Sequence, residues 1–316
     1  MEDKIMFKTA FIFPGQGSQY VGMAKDFYEN VPESKEIFER AAKVLDFDVI
    51  KLCFEENDQI NQTEYTQAAM VTACVSILAA VKKKGIKADI TAGLSLGEYA
   101  ALVENEAFSL EDAVTLVRKR GIYMSNEVPN GVGTMAAILG LDSEVIDKIC
   151  SDVAEEMKSC VQPANYNCPG QIVISGEKQA VLAANDRLKE AGAKRAIELN
   201  VSGPFHSALL KGAGEKLAKE LEQVNVNDMT IPYICNATAQ INTDKTKVKE
   251  LLEKQVSSPV RWQQSMELMI ENGVDIFVEI GPGKTLSGFL KKINKDVTVI
   301  NIEKLEDLEK LEGIVC

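Results

Sequence analysis

The chain has 316 residues, 46% of them hydrophobic and 26% charged, with a net charge of −12 at pH 7. That length allows one large domain or two with ample core. The negative balance disfavours nucleic acid and anionic membrane surfaces as partners, and no apolar run reads as membrane-spanning. The opening Met1-Glu2-Asp3-Lys4 is acidic and does not read as a signal peptide. A cytoplasmic monomer is therefore expected. The seven cysteines are odd in number and none has Cys-x-x-Cys spacing. Reduced, mostly buried thiols follow, with neither a disulfide framework nor a metal site.

In chain order, residues 7–13 are a mostly apolar run of strand length, ending at the glycine-rich turn Pro14-Gly15-Gln16-Gly17-Ser18-Gln19. Helical spacing covers 32–45 and 63–84, the latter closing on three lysines and Gly85. A strand over 86–91 leads to the turn Gly93-Leu94-Ser95-Leu96-Gly97, and a helix follows from Ala100. Ser109 caps a helix to about Met124. The texture then changes to strand 133–139, helix 143–150, strands 159–167 and 171–175, helix 177–191 and strand 194–199. This β-α-β-β-α-β order predicts a ferredoxin-like insert. Beyond the loop Ser202-Gly203-Pro204-Phe205-His206-Ser207 come helix 207–223, strand 231–236, helices 245–256 and 259–272, strand 274–280, strand 297–300 and a short acidic helix. The alternation predicts an α/β fold. Its hydrolase-like core has a parallel sheet flanked by helices, built from 1–129 and 201–316 and carrying Ser95 and His206. Residues 130–200 form the small ferredoxin-like subdomain.

Gly93-x-Ser95-x-Gly97 between strand and helix has the spacing of a nucleophile elbow, where a tight turn exposes the serine at a helix N-terminus. The plain alternative is a strand-to-helix loop with a capping serine. His206 is the only histidine, so a serine enzyme with a histidine base has no other candidate; a lone histidine is otherwise more often a surface or core residue. Gly15-Gln16-Gly17 lacks the third glycine of a dinucleotide loop, with Tyr20 in its place. It reads as a tight turn or as a source of oxyanion-binding amides. Gly281-Pro282-Gly283-Lys284-Thr285 resembles the end of a phosphate loop, but Val278 stands where the opening glycine belongs. Arg120, in Val117-Arg118-Lys119-Arg120-Gly121, is either part of a solvated basic stretch or a guanidinium clamp for a carboxylate.

Together these segments resemble the malonyl-CoA–acyl carrier protein transacylases and, more widely, the acyltransferase domains of fatty acid and polyketide synthases. Carrying the likeness in order are Pro14-Gly15-Gln16-Gly17-Ser18-Gln19, Gly93-Leu94-Ser95-Leu96-Gly97-Glu98-Tyr99, Arg120-Gly121, Asn167-Cys168-Pro169-Gly170-Gln171, Gly203-Pro204-Phe205-His206-Ser207, Pro259-Val260-Arg261-Trp262 and Glu279-Ile280-Gly281-Pro282-Gly283. Leu94 departs from the pattern, since the family usually has histidine before the nucleophile. The resemblance implies Ser95 as nucleophile and His206 as its base. It places oxyanion donors at the amides of Gln16 and Leu96, and a malonyl carboxylate on Arg120. It has the backbone carbonyl of Gln255 orient His206, with Asn236 a weaker candidate for the same task. The implied substrates are malonyl-CoA and the phosphopantetheine thiol of holo acyl carrier protein, with no resident cofactor. Phe205 is associated in relatives with malonyl over methylmalonyl.

An acidic carrier needs a local basic patch. The candidates are Arg187, Lys189, Lys194 and Arg195, or Lys284, Lys291 and Lys292. The rival readings are a serine esterase or thioesterase, which needs no buried arginine, and a non-catalytic carrier-binding module.

Overall fold

The structure, a computed structural model, describes residues 8–313. Phe7 of the expected opening strand, the acidic N-terminus and Cys316 lie outside them. Strand β1 (Thr9–Phe13) is buried along its whole length, as a central parallel strand must be. Phe11 and Phe13 enter one hydrophobic cluster and Ala10 and Ile12 another. The two-residue period of the strand thus divides its side chains between two helical layers.

Helices α1 (Lys25–Asn30), α2 (Pro32–Val44) and α3 (Val49–Phe54) follow, then the long α4 (Thr63–Lys83). By length and composition α4 could cross a membrane, contrary to the reading of the sequence, but 83% of its most apolar window is buried inside the protein. It is a core helix, apolar all round because it is covered on every side.

Strand β2 (Ile90–Gly93) passes through residues 94–96 into α5 (Gly97–Glu104), followed by α6 (Leu110–Asn126). β2 starts later than the apolar pattern suggests. The Asp89 carboxylate accepts the N–H groups of Lys8 and Thr9 at 2.9 Å each, which makes the preceding residues an approach to the sheet rather than part of it.

The next six elements are β3 (Gly133–Leu139), α7 (Ser143–Met157), β4 (Val161–Cys168), β5 (Gln171–Glu177), α8 (Lys178–Glu190) and β6 (Arg195–Glu198). Their strands form an antiparallel sheet in the order β4-β5-β3-β6, the order of a ferredoxin-like unit. α7 runs seven residues beyond the expected Cys150, because Val153 continues the buried face of Ile146 and Cys150.

The chain then returns through α9 (Lys211–Glu222), β7 (Tyr233–Cys235), β8 (Gln240–Asn242), α10 (Val248–Val256), α11 (Trp262–Glu271), β9 (Ile276–Ile280), α12 (Thr285–Ile293) and β10 (Thr298–Ile302). α9 and α10 begin later than expected, each preceded by a short 3₁₀ turn, and the acidic tail is 3₁₀ rather than α. The larger sheet has the order β10-β9-β1-β2-β7-β8. Its strands are parallel except β8, which folds back antiparallel on β7. The chain runs outward from β1 to β7 and later returns to the other side of β1. Such a reversal opens a crevice at the carboxyl ends of the strands. The six cysteines among the described residues are free, and all but Cys160 are buried.

Candidate active site

The crevice beyond β1 and β2 holds the elbow. Ser95 has φ 55°, a left-handed conformation that costs about 1–3 kcal/mol in a non-glycine residue and persists only where its surroundings enforce it. Two glycines let them do so. A Cβ on Gly93 would lie 1.9 Å from the backbone of Gly97, and one on Gly97 2.4 Å from the carbonyl oxygen of Phe13. The turn is thus pressed between its own helix and the end of β1. Asn236, just past β7, braces it: Oδ1 accepts from Ser95 N at 2.6 Å and Nδ2 donates to Gly93 O at 2.7 Å. The expectation that Asn236 orients the histidine is therefore corrected. Its amide is fully engaged by the elbow and makes no hydrogen bond to His206.

His206 is also left-handed, at φ 58°, and only 4% exposed. Its Nε2 lies 2.8 Å from Ser95 Oγ and its Nδ1 2.9 Å from the backbone oxygen of Gln255. A carbonyl only accepts, so the neutral ring carries its proton on Nδ1 and presents a bare Nε2 to the serine. Burial first, then the Arg120 charge, push the imidazole down to about 4. It is unprotonated at neutral pH.

Arg120, on α6, is 1% exposed. Nη1 donates to Gln67 Oε1 at 2.6 Å, while Nη2 donates to Ser95 Oγ and Gln255 Oε1, both at 3.0 Å. Nε has no acceptor among the described residues. All three partners are neutral, so a buried guanidinium sits beside the serine with no carboxylate bonded to it. Arg118 differs. It is held between the rings of Phe47 and Tyr65 and bonded to Asp46 and Glu64.

Gln16 and Leu96 line the same cavity, and the backbone N–H of neither donates to a backbone carbonyl among the described residues. The Gln16 side chain is tied to Thr63 at 3.0 Å. At Gly15 an added Cβ would meet Leu94 O at 2.7 Å, so the two amide-bearing loops nearly touch. The cavity, of about 240 Å³, is lined by the apolar side chains of Met124, Met135, Leu199, Phe205 and Phe289 and by polar ones including Asn165, Asn167 and Thr285. Leu94 joins that lining and packs on the cluster of Ile12 and Phe289, so an apolar contact stands where the family pattern has a histidine.

Two residues of the site escaped the sequence reading. Gln67 sits on the core face of α4 and looks like any helical glutamine. Glu98, directly after the elbow, is wholly buried, and its Oε2 accepts from Asn236 N at 3.0 Å and Gln255 Nε2 at 2.7 Å. The available signal was an acid beside Tyr99 and the apolar run Ala100-Ala101-Leu102-Val103 of α5. The Gly281 turn is no phosphate site, because the buried Glu279 carboxylate already takes the N–H groups of Leu286 and Ser287 at 3.0 and 2.9 Å.

A hydroxyl bonded to an unprotonated imidazole, with free amides alongside, is competent for attack on an acyl carbon. On a parallel α/β sheet this defines an acyl-group-handling enzyme. The chain belongs to the acyl transferase domain family, whose model matches residues 10–306. Among its relatives is the malonyl CoA-acyl carrier protein transacylase of Bacillus subtilis, 48% identical over 305 residues and covering 96% of each chain. The crystal structure of the enzyme of that name from Clostridium perfringens superposes with a TM-score of 0.93 at 46% identity, covering 97% of this chain and 96% of the other. A type II PKS acyl carrier protein complex with its malonyl-transacylase, in holo form, matches with a TM-score of 0.93 at 40% identity, over 97% of this chain and 99% of that one.

Proposed function

We propose that this chain transfers the malonyl group from malonyl-CoA to the phosphopantetheine thiol of holo acyl carrier protein, through a malonyl ester on Ser95. His206 Nε2 takes the Ser95 proton as Oγ attacks the thioester carbonyl. The tetrahedral oxyanion is held by the amides of Gln16 and Leu96, a contribution of roughly 3 kcal/mol per donor in comparable sites. The C–S bond breaks, and CoA leaves as the thiol with the proton from His206. The carrier thiol then attacks the ester, gives its proton to His206, and Ser95 Oγ leaves with that proton. Two thioesters flank one ester, so the cycle is reversible and ping-pong. No step needs a resident cofactor.

The observation that carries the malonyl assignment is Arg120. Nη1 is fixed by Gln67, Nη2 bonds only neutral groups, and Nε has no acceptor among the described residues. A malonyl carboxylate reaching this guanidinium would take Nε or replace a neutral acceptor, Ser95 Oγ or Gln255 Oε1, on Nη2, and in either place would make a stronger, charge-assisted bond. Esterases acting on neutral acyl groups gain nothing from such a charge. Phe205, 8% exposed and against the cavity, would crowd a branched α-carbon and favour malonyl over methylmalonyl.

We further propose that the chain acts as a monomer in the cytoplasm. We assign residues 130–200 to a separate small unit because its helices and sheet share a hydrophobic cluster of their own. For the acidic carrier we favour Lys284 and Lys291, which form no ion pair among the described residues and flank the cavity-lining Thr285, Leu286 and Phe289. Arg187 and Lys189 are already paired with Glu156 and Asp186.

Incubation with malonyl-CoA followed by peptide mass analysis tests the reading. A malonyl adduct on the Ser95 peptide, absent in Ser95→Ala, is expected. A folded wild-type protein that forms none refutes it.

A further inference from the structure

Glu98 is buried at some expense. One carboxylate oxygen accepts two hydrogen bonds, while the other, Oε1, has no hydrogen-bond partner among the described residues. A glutamine of the same shape would accept both bonds without a buried charge, which is ordinarily the cheaper arrangement. The reason for an acid lies one residue away. Gln255 receives Arg120 Nη2 on its Oε1 at 3.0 Å and donates from Nε2 to Glu98 at 2.7 Å and to Ser95 O at 2.9 Å. Its amide therefore stands between a cation and an anion, and each end of it is bonded to a charge. The backbone oxygen of the same residue holds His206 Nδ1.

We infer that ionised Glu98 is a positioning residue for malonyl transfer: it anchors Gln255 between itself and Arg120, so that a single residue aligns both the guanidinium clamp and the histidine. This rests on the reading of the site given above. Around Glu98 stand Arg120 from α6, Gln255 from α10, Tyr233 and Cys235 from β7, Asn236 just past it, and Tyr99 from α5. Only Arg120 is cationic. Burial outweighs its field and lifts the Glu98 carboxyl to about 7, whereas His206 is held near 4. As pH falls through 7, Glu98 gains a proton and Gln255 loses its anionic anchor while His206 is still a free base. Transfer should therefore weaken on the acid side near neutrality, well above the pH at which the histidine titrates.

The test is steady-state transfer from malonyl-CoA to holo carrier protein between pH 5 and 9, with thermal melting of each variant. Glu98→Gln is expected to melt like wild type, to lose about tenfold in kcat/KM at pH 8, and to lack the inflection near 7. A Glu98→Gln protein with wild-type kcat/KM, or with the inflection still in place, overturns the inference. Should that variant fail to fold, Glu98→Asp keeps the charge but withdraws it by a methylene. It should lose kcat/KM and retain the inflection, and wild-type kcat/KM there overturns the inference equally. A wild-type enzyme that forms no malonyl ester refutes the function itself, whereas an active wild type beside an unaffected Glu98→Gln refutes only the positioning role.

Discussion

At the scale of single residues, Arg120 decides what the site accepts. Removing one partner of a buried charge pair costs about 3–5 kcal/mol, so Arg120→Ala should lower kcat/KM for malonyl-CoA by roughly 10²–10³-fold. Turnover of a neutral thioester such as acetyl-CoA should fall far less, since it never uses the charge. Equal losses on both substrates would show that Arg120 merely supports Ser95, to which it donates at 3.0 Å. Local pattern could not separate Arg118 from Arg120, because two residues apart on a helix each can face either core or solvent. The family motif singled out Arg120, and only the packed structure shows Arg118 clamped by Asp46 and Glu64. Glu98 and Gln67 were illegible for a related reason. Their roles depend on partners from distant segments, and nothing in the adjacent sequence records those partners.

Among elements, the elbow was legible because its geometry demands glycine at fixed offsets. Gly97→Ala puts a methyl 2.4 Å from Phe13 O and 2.8 Å from Pro14 O, both backbone atoms that cannot rotate away. A loss of about 1–3 kcal/mol is expected, as for overpacking elsewhere, seen as a lowered Tm together with reduced ester formation as α5 is pushed from β1. An unchanged Tm would mean the strand end yields freely. β1 announced itself as a short apolar run, and the β-α-β-β-α-β order marked the small sheet. α1, α3 and β8 did not stand out, since each is at most six residues long and too short to show a period. α4 was legible as a helix, but its length and composition alone do not separate a core helix from a membrane span; its burial does.

For the whole molecule, the two sheets meet beside His206. Tyr166 N donates to Val260 O at 2.9 Å and Val260 N to Ala164 O at 2.8 Å, continuing β4 into the segment that follows Gln255. From the same strand, Gln162 Oε1 accepts from Ala208 N at 3.1 Å, and its Nε2 donates to His206 O at 3.4 Å. The small sheet thus supports the histidine loop from one side and the carbonyl that orients it from the other. Gln162→Ala should reduce kcat several-fold, about 1 kcal/mol for the lost hydrogen bonds, with little change in Tm. Unaltered kcat would mean that the loop holds its left-handed bend unaided. The change of texture near residue 130 revealed that a second unit exists. How it grips the first could not be read, as pairing between distant strands leaves no local trace.

The lone histidine has a practical consequence. With one imidazole in 316 residues, every imidazole nitrogen resonance in the protein belongs to His206. Nitrogen-15 labelling of histidine alone would yield a background-free reporter inside the reaction centre. The protonated Nδ1 and bare Nε2 fixed by Gln255 O and Ser95 Oγ would give two well-separated signals, and acylation of the serine would shift the Nε2 signal first.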